Sequence, residues 1–104
     1  MRDSINAFAK EVNENAINKG FWDEDIPEKY RYLWIAAKLM LIVTEVAEAC
    51  EADRNEDDNM GEELADIIIR TIDLAEHLDI DIGQELIDKH LKNLGRPHKH
   101  NKRY

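Results

Sequence analysis

Two acid pairs stand out in this 104-residue chain because of what surrounds them. Glu45 and Glu48 lie in TEVAEAC, inside an otherwise apolar run, and Glu63 and Asp66 lie in EELADIII, at the head of another. Three helical steps nearly complete a turn, so each pair forms one stripe down a helix. Apolar residues flank both stripes: Ile42, Val43, Val46, Ala47 and Ala49 on one side, Leu64, Ile67, Ile68 and Ile69 on the other. Packing the two helices together brings four carboxylates into one partly dry groove. Such groups repel, so some take protons or a cation sits among them. An unpaired buried charge costs several kcal/mol, a large share of a typical stability of about 5–15 kcal/mol. All four donors are hard oxygens, which favour Mg²⁺ or Mn²⁺ over Zn²⁺, and Mg²⁺ commonly shares its coordination with substrate phosphates. The competing reading is ion pairing: Arg70 follows Asp66 by one turn, and Lys38 precedes Glu45 by two.

The elements that must carry these residues read as four helices. Ile5, Phe8, Val12 and Ala16 share a face of a first helix from about Asp3 to Lys19, with Gly20 suited to the left-handed position beyond its end. The loop FWDEDI, residues 21–26, follows, and Pro27 fits a first helical position. A long second helix spans about Glu28 to Arg54, with only Lys38, Glu45 and Glu48 charged between Tyr32 and Cys50. After the polar break NEDDN, residues 55–59, Asn59 with Glu62 resembles a capping box opening a third helix that ends near Leu78. Asp81 with Gln84 repeats the signal for a fourth, which ends near Gly95 with Pro97 just beyond. The run Ile67–Ile69 favours strands, but it sits inside a helical period. The expected fold is therefore a single all-α domain.

Charge narrows the function. The chain carries 14 basic and 23 acidic residues, net −9, which argues against binding a nucleic-acid polymer. Residues 89–104 hold Lys89, Lys92, Arg96, Lys99, Lys102 and Arg103 and no acid, leaving an acidic body with a small basic tail. That division suits a protein that holds cations and a compact polyanion together. A solvated acidic surface with a solvated tail is the plainer alternative. Charges interrupt every apolar stretch, so a membrane span is not expected. The single cysteine, Cys50, and a first segment without an apolar signal core suit a cytoplasmic protein. Cys50 lies on an apolar helix stripe and is expected to pack there.

EVAE (45–48), a polar break, and EELAD (62–66) together resemble the E-x-x-E…E-x-x-D pattern of the MazG-like, all-α nucleoside triphosphate pyrophosphohydrolases. KGFWD (19–23) is similar to that family's aromatic loop before the long helix. KHLKNLGRPHKHNKRY (89–104) resembles the closing segment of its short members, with Asn101 standing where many carry Gly. The resemblance covers nearly the whole chain. It implies a four-helix bundle of the MazG-like type, completed by oligomerisation. The implied activity splits the α–β phosphate bond of an NTP or dNTP, giving a monophosphate and pyrophosphate. It also implies that Glu45, Glu48, Glu63 and Asp66 hold Mg²⁺, with Mn²⁺ as a substitute. Glu45 is the favoured base toward a bound water, and the role would be removal of unwanted nucleotides.

Five further residues are candidate substrate contacts. Lys38 lies about 10 Å upstream of Glu45 on its stripe, within partial reach of a phosphate. Lys89, Asn93 and Arg96 share one face of the last helix and its exit; the resemblance makes them phosphate or sugar ligands, whereas alone they read as a solvated basic face. Trp22 can stack on a base or simply pack. Trp34 is expected to pack, and His98 and His100 to lie in a solvated tail. The third helix is apolar on almost every side except the stripe 63-66-70-73-77, so a homo-oligomer, dimer or tetramer, is expected, with the basic tail able to reach a neighbour's site. The rival function is a non-catalytic helical interaction module with an acidic, cation-binding groove.

Overall fold

The computed structural model describes residues 1–103 and is all-helical among them. Helix α1 is Arg2–Asn18, α2 is Arg31–Arg54, α3 is Met60–His77 and α4 is Ile82–Leu94. Short 3₁₀ turns occupy Glu28–Tyr30 and His98–Asn101. Gly20 closes the exit of α1 at φ +87°, the left-handed conformation that glycine adopts without strain. Asp81 caps α4, its Oδ1 accepting from the Gln84 amide at 3.0 Å.

Two local expectations are corrected. Pro27 is not the first residue of α2; it precedes the 3₁₀ turn in extended backbone (φ −55°, ψ 142°). Asn59 forms no capping box, because its side chain makes no cap bond and its Nδ2 instead donates to Glu63 Oε1 at 3.1 Å. The carboxylate one position further along thus draws the amide away from the helix end.

Helix α3 is the central element. It packs between α1 and α2, while α4 lies mainly on α1. At close backbone range α2 meets neither α1 nor α4, so the four helices do not close into a bundle within one chain. The radius of gyration, 16.1 Å, exceeds the roughly 13 Å of a compact chain of this length. The accessible surface, 8167 Å², likewise exceeds the roughly 6,000 Å² typical of this mass. Among the described residues only Ile72 and Leu74 are large buried apolar side chains; the other buried apolar residues are alanines.

The apolar surplus lies chiefly on α2, where Leu33, Leu39, Met40, Leu41, Val43 and Val46 are all exposed. Helix α3 contributes less, through Leu64, Ile68 and Ile69. Cys50 is exposed on α2 rather than packed, because nothing in the described chain covers that face. Among the described residues no helix is long and apolar enough to cross a membrane.

The crossing of α1 over the start of α4 is tight. Asn6 clamps it twice, donating to Asp81 Oδ1 at 2.7 Å and accepting from the Gly83 amide at 2.8 Å. A Cβ at Gly83 would lie 2.5 Å from the Arg2 carbonyl oxygen, so only glycine fits there.

Candidate functional site

The acid stripes of α2 and α3 face one another. Carboxylate oxygens of Glu45, Glu48 and Glu63 lie within 4.8 Å of one another. Asp66, one turn beyond Glu63, stands outside that triad but lines the same cavity as Glu45 and Glu48. The cavity, about 640 Å³, runs between α1, α2 and α3, and its walls include Phe8, Trp22, Lys38 and Ile69. That volume falls within the range of about 300–1,000 Å³ of small-molecule sites.

Burial differs across the triad. Glu45 is 8% exposed, Glu63 is half-buried and Glu48 faces water. Negative charge on Glu45 pushes the Glu48 carboxyl above the usual carboxylate range. Partial desolvation, a hydrogen bond shared with Glu45, and the charges of Glu63 and Asp66 add to the rise. Glu63 Oε2 is buried and finds no hydrogen-bond donor among the described residues. An unsatisfied buried carboxylate oxygen beside two other carboxylates suits a hard cation, because oxygen donors are what such an ion takes.

The ion-pairing reading of these acids holds for Arg70 and not for Lys38. Arg70 Nε donates to Glu45 Oε1 at 2.6 Å, so one carboxylate of the triad is paired within the chain. Lys38 pairs elsewhere. Its Nζ donates to the Phe21 carbonyl at 3.1 Å and lies 3.8 Å from Glu24 and 4.6 Å from the Trp22 ring centroid. It therefore pins the loop after α1 against α2, at the opposite end of the cavity wall from Glu48.

Trp22 belongs to a network that composition did not reveal. Its Nε1 donates to Asp73, with both carboxylate oxygens at 3.2 Å, and Asn13 Nδ2 donates to Asp73 Oδ1 at 2.8 Å. The indole stacks on His77, and Trp34 meets Trp22 edge-on at 5.2 Å. Trp34 is half-buried, as its packing role required. Asn13, Asp73 and His77 were not singled out by sequence reasoning. One signal was present: Asp73 and His77 continue the polar stripe that begins at Glu63 and passes through Asp66 and Arg70.

The basic candidates lie apart. Lys89, Asn93 and Arg96 sit on α4 and its exit, and none of them lines the acidic cavity. They do form a local cluster. Arg96 lowers the Lys89 pKa most, followed by desolvation, Lys92 and Lys102. Asn93 and Arg96 are half-buried, and Asn93 Oδ1 is buried with no donor among the described residues. His98 is exposed in the second 3₁₀ turn, and the side chain of His100 lies outside the described residues.

Compared with protein-family models, with curated proteins and with solved structures, the chain has no match.

Proposed function

We propose that this chain is a Mg²⁺-dependent nucleoside triphosphate pyrophosphohydrolase that clears unwanted nucleotides, splitting an NTP or dNTP into monophosphate and pyrophosphate. One observation carries the reading: three carboxylates from two helices meet within 4.8 Å, with a fourth, Asp66, on the wall of the same nucleotide-sized cavity. Glu45, Glu48, Glu63 and Asp66 would hold Mg²⁺, or Mn²⁺ in its place. When bound, such an ion neutralises phosphate charge and lowers the pKa of water. Glu45 is the carboxylate assigned to take the proton from the attacking water. The water oxygen bonds to phosphorus, the bridging P–O bond breaks, and the electron pair leaves with pyrophosphate. Lys38 positions Trp22 and the loop that walls the cavity.

A homo-oligomer in the cytoplasm belongs to this reading. The exposed apolar face of α2 supports it, and so does the excess surface of the isolated chain. Lys89, Asn93 and Arg96 lie outside their own chain's cavity, so their contact with substrate requires a second copy that places α4 over its neighbour's acids.

The test is direct. The protein is incubated with a panel of NTPs and dNTPs at millimolar Mg²⁺, and released pyrophosphate is measured. Release from at least one nucleotide supports the proposal. A panel with no release favours the alternative, a non-catalytic module whose acidic groove binds cations or a basic partner; the Arg70–Glu45 pair, which already satisfies one acid, is the observation on that side.

A further inference from the structure

Arg70 is a cation on the cavity wall whose present partner is a candidate metal ligand. Its Nε sits 2.6 Å from Glu45 Oε1, and among the described residues the guanidinium makes no other hydrogen bond or ion pair. The terminal nitrogens are therefore without a protein partner, although an arginine fork is built to hold two oxygens at once. The Arg70 side chain is 38% exposed and lines the cavity between Asp66, one turn before it, and Asp73, one turn after.

Charge makes this position decisive. Five carboxylates line the cavity: Glu11, Glu45, Glu48, Asp66 and Asp73. Among the described residues the only cations on its wall are Lys38 and Arg70, and Lys38 is held by Phe21, Glu24 and two indole rings. A polyanion entering this space meets one cation with donors to spare. A guanidinium and a divalent cation also compete for the same Glu45 lone pairs, and the doubly charged ion binds the more strongly in a cluster of acids.

We propose that Arg70 is a phosphate-binding residue stored on Glu45, released toward a polyphosphate when a divalent ion takes that carboxylate. The proposal rests on reading the acid cluster as a cation site. Release needs only side-chain rotation, because α3 keeps Arg70 a turn from Asp66. It couples the two ligands: the ion frees the fork that grips the anion, and by linkage the anion tightens the ion.

The full-length protein and Arg70→Met are titrated with Mn²⁺, and then with inorganic tripolyphosphate as its Mg²⁺ complex. With the competitor removed, the variant should bind Mn²⁺ at least ~3-fold more tightly and the tripolyphosphate complex about 10-fold more weakly. Unchanged or weaker Mn²⁺ binding, or unchanged tripolyphosphate binding, overturns the proposal. The wild type gives a second reading that survives a misfolded variant. Its Arg70 Nε–H resonance should move out of its strongly hydrogen-bonded position on Mg²⁺ addition. If Mg²⁺ binds and this resonance stays, the proposal fails while the cation site stands. If the wild type binds no divalent ion, both fall.

Discussion

The Trp22 indole lies flat against the His77 imidazole, ring centroids 3.7 Å apart and planes 6° from parallel. Asn13, one of two buried polar residues among those described, joins them: its Nδ2 meets His77 Nδ1 at 3.2 Å and donates to Asp73, which also holds the Trp22 N–H. A neutral His77 with its proton on Nε2 offers at Nδ1 the acceptor that this Asn13 donor takes. Asp73 lies about 15 Å along α3 from Glu63. The cavity therefore has a carboxylate end and an aromatic end, joined by the rigid rods of α2 and α3.

The neutral His77 gives stability a pH dependence. Burial lowers its pKa most; Lys38 lowers it further, against opposition from Asp73 and Asp79. The folded value lies below that of the unfolded chain, about 6.5, so the unfolded chain takes up the proton first as pH falls. The His77 contribution is thus complete above about pH 6.5 and lost below it, toward the folded pKa. Melting temperatures of wild type and His77→Gln between about pH 8 and 5 check this. The wild-type advantage should shrink on acidification; a flat or widening gap contradicts the assignment.

Glu48→Gln separates the site's chemistry from its folding. Glu48 stands in the repulsion of Glu45 first and of Glu63 and Asp66 after it. Neutralising it should raise the metal-free melting temperature at neutral pH and leave helix content and oligomer intact. Turnover should fall at least ~100-fold. Calorimetry and the pyrophosphate assay read the two effects; retained turnover, or a lower melting temperature, would count against this placement of the acids.

Gly83→Ala tests the frame. The new methyl would meet the Arg2 carbonyl at 2.5 Å and the Asn6 side chain at 2.9 Å. Forcing α1 and α4 apart should cost about 1–3 kcal/mol, and each kcal/mol lowers the melting temperature of a domain this size by roughly 4–8 °C. An unchanged melting curve would mean that the two helices are free to separate.

Assembly and the basic tail are checked together by mixing Glu48→Gln and Arg96→Ala, each expected to lose turnover on its own. If α4 of one copy serves its neighbour's acids, random mixing in a dimer restores about a quarter of wild-type activity, since half the dimers are mixed and each has one intact site. No restoration would confine the tail to its own chain. A charge at Val43, 53% exposed on α2, should convert the oligomer to monomer in light scattering.

The helices and the acid cluster were legible because each rests on a local rule. Apolar spacing marked four helices, Asp81 announced its own cap, and two i, i+3 acid pairs in apolar surroundings marked the stripes that meet. The Asn13–Asp73–Trp22–His77 network was not legible. Asn13 sits in VNENAIN, a stretch that reads as a wet face until α3 covers it. Lys38 shares the Glu45 stripe, yet the loop carbonyl of Phe21 and the two indoles capture it first. The separation of α2 from α1 and α4 was also hidden, because an amphipathic pattern says which face must be covered and not which neighbour covers it.

The central claim is that Glu45, Glu48, Glu63 and Asp66 act together as a divalent-cation site. Electron paramagnetic resonance of Mn²⁺ tests it most directly, by counting free ion as protein is added. The wild type should remove Mn²⁺ from solution, and a variant carrying Glu45→Gln, Glu48→Gln and Glu63→Gln should not. Equal Mn²⁺ uptake by the two proteins, or none by the wild type, would contradict the account.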